Sequence, residues 1–240
     1  VSFTGSTEVG RRIVQSVGAD FKRVSLELGG KSPMIILPDA DLDRAIPAAA
    51  QGIFANAGQV CNAGSRLFAH RDVFDRVVDG IAEHAGRLKI GPGLEEDTQL
   101  GPLVSRAQLD RVTGYVELGV GEGASVRVGG QAIEGDGYFM QPTILTGTAG
   151  HMRVAREEIF GPVLCAMSMA DDDLDTIIAE ANATSYGLVS YLYTNDLRRA
   201  IRDDWERIHV VPLDQLCLDR AAELGREQPL RTVDALHLAA

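Results

Sequence analysis

The regular alternation of strand-like and helix-like runs is the feature that most constrains how this chain can fold. Runs typical of strands occupy residues 1–3, 23–28, 32–37, 66–69, 125–128 and 188–193. Runs with helical spacing of apolar residues occupy residues 42–54, 73–88, 105–118, 171–183 and 197–208. Strands that alternate with helices along a chain form βαβ units, whose strands run parallel. We therefore predict an α/β fold with a largely parallel sheet flanked by helices.

The charge of the chain narrows the class of partner. Its 240 residues carry a formal net charge of −11, and 45% of them are hydrophobic. Nucleic acid and anionic membrane surfaces attract proteins with a basic face, so we expect neither as a partner. No apolar run approaches the length of a membrane-spanning helix. The composition is that of an ordinary soluble globular protein.

The cysteines and histidines argue against a disulfide framework and a metal site. Cys61, Cys165 and Cys217 are far apart, and no pair has the C-x-x-C spacing. The five histidines form no pair at the spacing of metal ligands. We therefore predict no bound metal and a reducing, cytoplasmic setting.

Cys61 is a candidate nucleophile because of the residues around it. It follows the helix-like run that ends at Phe54, and Gly58 and Gly64 flank it in a segment of small residues. Such glycines let a substrate approach closely and let main-chain N–H groups stabilise an oxyanion. The alternative is that Cys61 is a small buried hydrophobic residue, which is the commoner role of a lone cysteine.

The first turn of the chain has the residues of an anion-binding site. Gly5 follows the first strand-like run, and Ser6 or Thr7 can cap the helix-like run that comes next. The free N–H groups and the positive end of such a helix suit a dinucleotide phosphate. The same pattern occurs in plain strand-to-helix turns, so both interpretations stay open.

Two acidic residues stand where a carboxylate can take part in chemistry. Glu27 ends a strand-like run just before Gly29 and Gly30, where partial burial would raise its pKa and make it a general base. Glu158 comes two residues before Phe160, so a carboxylate can bind a ribose hydroxyl while a ring covers a flat heterocycle. The alternative for each is a solvated acid beside a strand.

Three motifs, in this order, resemble those of the aldehyde dehydrogenase superfamily. They are LELGGKSP at residues 26–33, GQVC at residues 58–61 and EIFGP at residues 158–162. Residues 3–10, 100–103 and 138–143 are similar to further signatures of that family. The resemblance extends from Phe3 to Arg202.

This resemblance implies a reaction and the residues that perform it. Cys61 would attack a small-molecule aldehyde, hydride would pass to NAD or NADP, and Glu27 would activate the water that hydrolyses the thioester. The backbone N–H of Cys61 would stabilise the oxyanion. Glu158 would bind the nicotinamide ribose, and Phe160 would lie near the nicotinamide. The cofactor-binding residues would be Gly5, Ser6, Gly10, Leu28, Glu158 and Phe160.

The resemblance also divides the chain into parts. Residues 1–27 would be the end of a dinucleotide-binding domain, with the last strand and helix of a Rossmann-like fold, and residues 28–202 would be the catalytic domain. Members of the family are longer and form homo-oligomers, and their upstream part supplies an oxyanion-hole asparagine and the adenosine pocket. We therefore expect impaired activity, and the alternative is a non-catalytic remnant of the family.

Residues 203–240 depart from the family. Residues 208–214, 221–224 and 230–239 resemble the C-terminal part of a PIN-domain ribonuclease toxin, in which Asp234 would match one acid of a metal-binding cluster. A single carboxylate does not hold the Mg²⁺ that such chemistry needs. Two amphipathic helices joined by a short strand are the alternative for this segment.

Overall fold

The computed structural model describes residues 1–18, 20–170 and 174–196. The α/β prediction is confirmed there, because strands and helices alternate and most neighbouring strands are parallel. The helix predicted at residues 197–208, Cys217 and the PIN-like segment with Asp234 lie outside the described residues.

The predicted runs of this part are found in the predicted order, with ends that differ by no more than three residues. The structure adds two strands, Thr143–Thr146 and Val163–Met169, and a short helix, Arg153–Arg156, that those runs do not include. The strands are β1 (Ser2–Thr4), β2 (Ser25–Glu27), β3 (Pro33–Ile36), β4 (Arg66–His70), β5 (Ser125–Val128), β6 (Thr143–Thr146), β7 (Val163–Met169) and β8 (Tyr191–Tyr193). The helices are α1 (Thr7–Gly18), α2 (Leu42–Phe54), α3 (Arg71–Arg87), α4 (Arg106–Gly121), α5 (Arg153–Arg156) and α6 (Leu174–Asn182). Among the helices of the described ranges, none is long and apolar enough to cross a membrane.

The strands form two separate sheets. The larger sheet has the order β5-β6-β7-β4-β3-β8, and all its neighbours are parallel except the antiparallel pair β5 and β6. Strands β1 and β2 pair in parallel in a sheet of their own. Because β7, β4 and β3 are adjacent and parallel, the segments that enter them meet at one edge of the larger sheet.

The core lies on both faces of the larger sheet. Met34 and Ile36 of β3 pack on one face in a cluster that includes the buried residues of α2, α3 and α4. Ile35 and Leu37 pack on the other face with the buried residues of α6. This alternation follows from the two-residue period of a strand, and a parallel sheet covered on both faces explains why β3 is apolar throughout.

Helix α2 carries the chain to the candidate nucleophile. The Asp41 side chain caps its first turn by accepting a hydrogen bond from the Asp43 N–H. Ala45, Ala49 and Ile53 are buried at four-residue spacing, so one face of the helix packs against the sheet. This packing fixes the position of the carboxyl end of α2, from which residues 55–65 lead to β4.

Helix α1 has a different environment. Gly10 is its only buried residue, whereas Val9 and Val14 are 41% and 47% exposed. Leu28 lies against Gly10, where an added Cβ would come 2.6 Å from a Leu28 methyl carbon. The contact of α1 with the chain after β2 therefore depends on a glycine at this position.

Candidate active site

The site predicted around Cys61 lies where three segments enter adjacent parallel strands. Residues 55–65 enter β4, residues 28–32 enter β3, and residues 157–162 enter β7. Ligands of open parallel sheets commonly bind at the carboxyl ends of the strands. Here the converging segments lie at the amino ends.

Cys61 is half-buried in a tight turn, in which Ala63 N donates a hydrogen bond to Val60 O over 3.2 Å. Cys165, by contrast, is fully buried in β7, and burial raises the pKa of its thiol. The Cys165 Sγ donates to Val154 O over 3.2 Å. Of the two cysteines that the structure describes, Cys61 is therefore the one within reach of a substrate.

The turn before Cys61 has an unusual backbone. A 3₁₀ turn at Ala55–Gly58 follows α2, and Asn56 and Ala57 have φ values of 51° and 53°. Residues other than glycine pay about 1 to 2 kcal/mol each for this left-handed conformation. Strain of this kind persists where the surroundings determine the backbone, and it clusters at functional sites.

Gln59 fixes the turn from the other side. Its Oε1 accepts a hydrogen bond from Val104 N over 2.9 Å, and its Nε2 lies 3.5 Å from Pro102 O. Gln59 N also donates to Asn56 O over 3.1 Å. The segment that leads to Cys61 is thus held to the loop before α4.

The Glu158 carboxylate and the main chain of Cys61 both lie against the glycines at residues 29 and 30. Gly30 N donates a hydrogen bond to Glu158 Oε1 over 2.9 Å. A Cβ on Gly29 would overlap the Glu158 carboxylate, and a Cβ on Gly30 would overlap the Cys61 carbonyl oxygen. The two glycines are therefore what allows the carboxylate and the cysteine main chain to converge here.

Helix α4 holds the segment that carries Glu158. Arg111 Nη2 donates to Glu158 O over 2.6 Å, and Gln108 Nε2 donates to Ile159 O over 3.0 Å and to Phe160 O over 2.7 Å. Phe160 has a φ of 59° and is 37% exposed. Two side chains of one helix thus bind three consecutive carbonyls and keep Phe160 in a strained, partly exposed position.

Lys31 gives the site a buried cation. Its side chain is 2% exposed, and its Nζ has no hydrogen-bond partner among the described residues. Burial lowers the pKa of Lys31 to about 8, although Cys165, Glu158 and Glu157 act in the opposite direction. The ammonium group therefore lies in the neighbourhood of the Glu158 segment without a direct bond to it.

The predicted base and the predicted phosphate-binding turn lie at the smaller sheet. Glu27 is the last residue of β2 and is exposed, and its main-chain oxygen accepts from Gly5 N over 2.9 Å. No described hydrogen bond or ion pair involves its carboxylate. Ser6 caps α1, since its hydroxyl accepts from Val9 N over 3.3 Å, as one of the two predicted caps requires. The roles of Glu27, Gly5, Ser6, Gly10 and Leu28 stay predictions.

The described residues contain no group of three histidine, cysteine, aspartate or glutamate side chains placed to hold a metal ion. The groups that the structure does place at the site are the Cys61 thiol, the Glu158 carboxylate, the Lys31 ammonium group and main-chain N–H groups.

The fold and the site together define an α/β protein in which a half-buried cysteine and a carboxylate converge on one glycine, Gly30. The model of the aldehyde dehydrogenase family matches residues 1–204. The chain therefore belongs to the aldehyde dehydrogenase family.

Individual relatives agree with this assignment. The chain is 45% identical over 206 residues to betaine aldehyde dehydrogenase of Brucella anthropi, a match that covers 84% of this chain and 42% of the relative. It is 44% identical over 203 residues to the mitochondrial aldehyde dehydrogenase of Leishmania tarentolae, covering 84% of this chain and 40% of the relative. The NAD⁺ complex structure of aldehyde dehydrogenase from Bacillus cereus matches with a TM-score of 0.80 and 45% identity, covering 82% of this chain and 40% of that one. The chain thus spans about two fifths of the length of these relatives.

Several residues that hold the site were not found by sequence reasoning. They are Gln108, Arg111 and Arg66. Gln59 and Lys31 lie in the motifs quoted above, but their contacts were not predicted. Gln108 and Arg111 are three residues apart and therefore share a helix face, which is the one signal that could have paired them. Nothing in the sequence indicates that this face meets carbonyl groups some fifty positions later.

Proposed function

We propose that this chain oxidises an aldehyde to a carboxylic acid with NAD or NADP, through a thiohemiacetal and a thioester on Cys61. The observation that carries the proposal is the convergence of Cys61 and Glu158 on Gly29 and Gly30. The family match and the structural match to an NAD⁺ complex support it. The alternative, a non-catalytic remnant of the family, is favoured by the partial coverage of the relatives.

The residues present fit a nicotinamide cofactor. One oxygen of the Glu158 carboxylate accepts the Gly30 N–H, so the other oxygen is available to a ribose hydroxyl. The partly exposed Phe160 ring is held in place through its carbonyl by Gln108. We infer that Glu158 and Phe160 hold the nicotinamide end, and that Gly5, Ser6, Gly10 and Leu28 lie at the phosphate end.

The reaction begins with Cys61. As thiolate, its sulfur forms a bond to the aldehyde carbon, and the carbonyl electron pair moves to oxygen. The main-chain N–H of Cys61 donates to this oxyanion. The oxyanion then re-forms its double bond as the aldehyde hydrogen leaves with its electron pair. NAD⁺ or NADP⁺, which Glu158 and Phe160 would hold at its nicotinamide end, would supply the two-electron acceptor for this hydride.

The second half of the reaction releases the acid. Water attacks the thioester carbon, its proton passes to the Glu27 carboxylate, and Cys61 leaves as thiolate. Glu27 is exposed in this structure, and the strand that carries it leads directly into the glycines of the site. We therefore assign Glu27 the role of deacylating base.

We further propose the domain boundaries that follow from this assignment. Residues 1–27 belong to a dinucleotide-binding domain, since β1 and β2 form a sheet of their own, and residues 28–202 belong to the catalytic domain. Residues 203–240 form a separate segment, and the family match ends at residue 204. A cytoplasmic location and a homo-oligomer are proposed on the basis of the family alone.

The test measures NADH and NADPH formation with a panel of aldehydes, betaine aldehyde included, for the parent chain and Cys61→Ala. We expect product from at least one aldehyde with the parent chain and none with the variant. Absence of any Cys61-dependent signal would support the non-catalytic alternative. Glu27→Gln should slow steady-state turnover more than the initial burst of reduced cofactor, and equal loss of both phases would contradict its role as deacylating base.

A further inference from the structure

Arg66, the first residue of β4, is a buried cation that no step of the proposed reaction uses. Only 3% of the Arg66 surface is exposed. Nε donates to Lys31 O over 2.8 Å, and Nη2 donates to Ala181 O over 2.7 Å. Nη1 lies 3.4 Å from Glu180 O. The planar guanidinium thus binds carbonyls of two elements that are far apart in the sequence.

The main chain of Arg66 holds the same segment a second time. Its N–H donates to Ser32 O over 3.3 Å, as the pairing of β4 with β3 requires. Arg66 therefore binds two consecutive carbonyls, those of Lys31 and Ser32. This fixes the orientation of the backbone directly after Gly30.

The orientation of that backbone decides where the Gly30 N–H points. Gly30 donates to the Glu158 carboxylate, and Gly30 also lies against the Cys61 carbonyl. A glycine has no side chain to fix its backbone, so its neighbours must do so. The donor that the structure shows at the carbonyl of Lys31, the residue after Gly30, is the Arg66 guanidinium.

The other end of the guanidinium contacts the carboxyl end of α6. Glu180 and Ala181 lie in the last turn of this helix, whose free carbonyls and dipole favour a cation. Burial lowers the pKa of Arg66 to about 10, which leaves it charged at neutral pH. The chain after α6 returns to the site, where the Leu188 Cβ would lie 3.8 Å from a Cβ on Gly30.

We propose that Arg66 is a positioning residue, which holds the Lys31 carbonyl against the end of α6 and thereby aims the Gly30 N–H at the Glu158 carboxylate. The importance of that aim for cofactor binding rests on the proposed function. The geometry itself does not, so the two can be tested apart.

Hydrogen exchange followed by mass spectrometry tests the geometry without cofactor or substrate. The variants are Arg66→Lys, which keeps the charge but loses the planar fork, and Glu158→Gln, which weakens the acceptor. Arg127→Lys is the matched control, because Arg127 bonds the exposed Asp79 at the sheet edge. We expect exchange of residues 28–32 to rise on the order of tenfold in both site variants and to stay unchanged in the control.

Two outcomes would overturn the proposal. One is a hydrogen-exchange rate of residues 28–32 in Arg66→Lys that equals the rate in the parent chain. The other is faster exchange throughout the described sheet, which would make Arg66 a general stabilising residue. If Arg66→Lys does not fold, Arg66→Gln takes its place with the same criteria.

Binding of NADH, followed by its fluorescence, extends the test to function through a double-mutant cycle. If Arg66 acts through Glu158, the double variant Arg66→Lys, Glu158→Gln loses no more affinity than the weaker-binding single variant. If the affinity losses of the two single variants multiply in the double variant, Arg66 does not act through Glu158. A parent chain that does not bind NADH would count against the proposed function, while the exchange result still decides the role of Arg66.

Discussion

Substitution of Gly58 is expected to lower the stability of the protein strongly. Gly58 has a φ of 68°, and a Cβ at this position would overlap the Gly161 carbonyl oxygen and lie 3.0 Å from Pro162 N. The obstructing atoms belong to the main chain, so no side chain can rotate away. The residues around Cys61 and those before β7 would have to separate.

The expected magnitude for Gly58→Ala has two parts. The left-handed backbone costs an alanine about 1 to 2 kcal/mol. Overpacking that shifts backbone costs about 1 to 3 kcal/mol more. The free energy of unfolding should therefore fall by about 2 to 5 kcal/mol, which lowers a urea midpoint by about 1 to 2 M at the slopes usual for such domains.

Urea unfolding followed by circular dichroism measures this change. Gly114→Ala is the matched control, since Gly114 lies within α4 with nothing within 4 Å of an added Cβ. That substitution should stabilise the chain by up to about 1 kcal/mol, because alanine favours the helix. A midpoint for Gly58→Ala within experimental error of the parent would refute the reasoning, because it would show that the two segments separate at no cost.

Two further predictions concern the groups around Glu158. Gln108→Ala removes the donor to the Ile159 and Phe160 carbonyls and should weaken NADH binding by about tenfold. Glu117→Ala, on the exposed face of the same helix, should leave the affinity unchanged. Equal affinities of the two variants would contradict a role for Gln108 in holding Phe160. The pKa of Lys31 is lowered from 10.5 to about 8 in the folded chain. The unfolded chain therefore binds this proton more tightly than the folded chain does. As the pH rises from 8 to 10.5, the free energy of unfolding should increase by up to about 3 kcal/mol because of this group. Urea titrations across that range should show the stability advantage of Lys31→Met over the parent shrinking by this amount, and a difference that does not vary with pH would rule out a buried, charged lysine.

The fold was predictable from the sequence because its signals are local. Helix α2 was predicted at residues 42–54, where it is found, since an acidic cap and apolar residues at helical spacing lie within one segment. Strand β3 was equally clear, because a strand buried on both faces is apolar at every position.

The site was predictable only in part. The motif around Cys61 and the spacing of Glu158 to Phe160 pointed to the residues that the structure brings together. The left-handed Asn56 and Ala57 gave no signal, since neither residue type demands that backbone. The contact of Arg66 with Ala181 also has no signal in the sequence, because it forms only when the sheet order places distant segments side by side.

The sharing of Gly30 by Cys61 and Glu158 has a consequence for how the protein matures. The hydrogen bond from Gly30 to Glu158 joins residues 128 positions apart. Contacts of such long range form late, because the chain must first close a large loop. Until β7 has joined β4, the Gly30 N–H lacks its acceptor on Glu158. The main chain on which Cys61 and Glu158 converge is therefore completed only when the last of these parallel strands is in place.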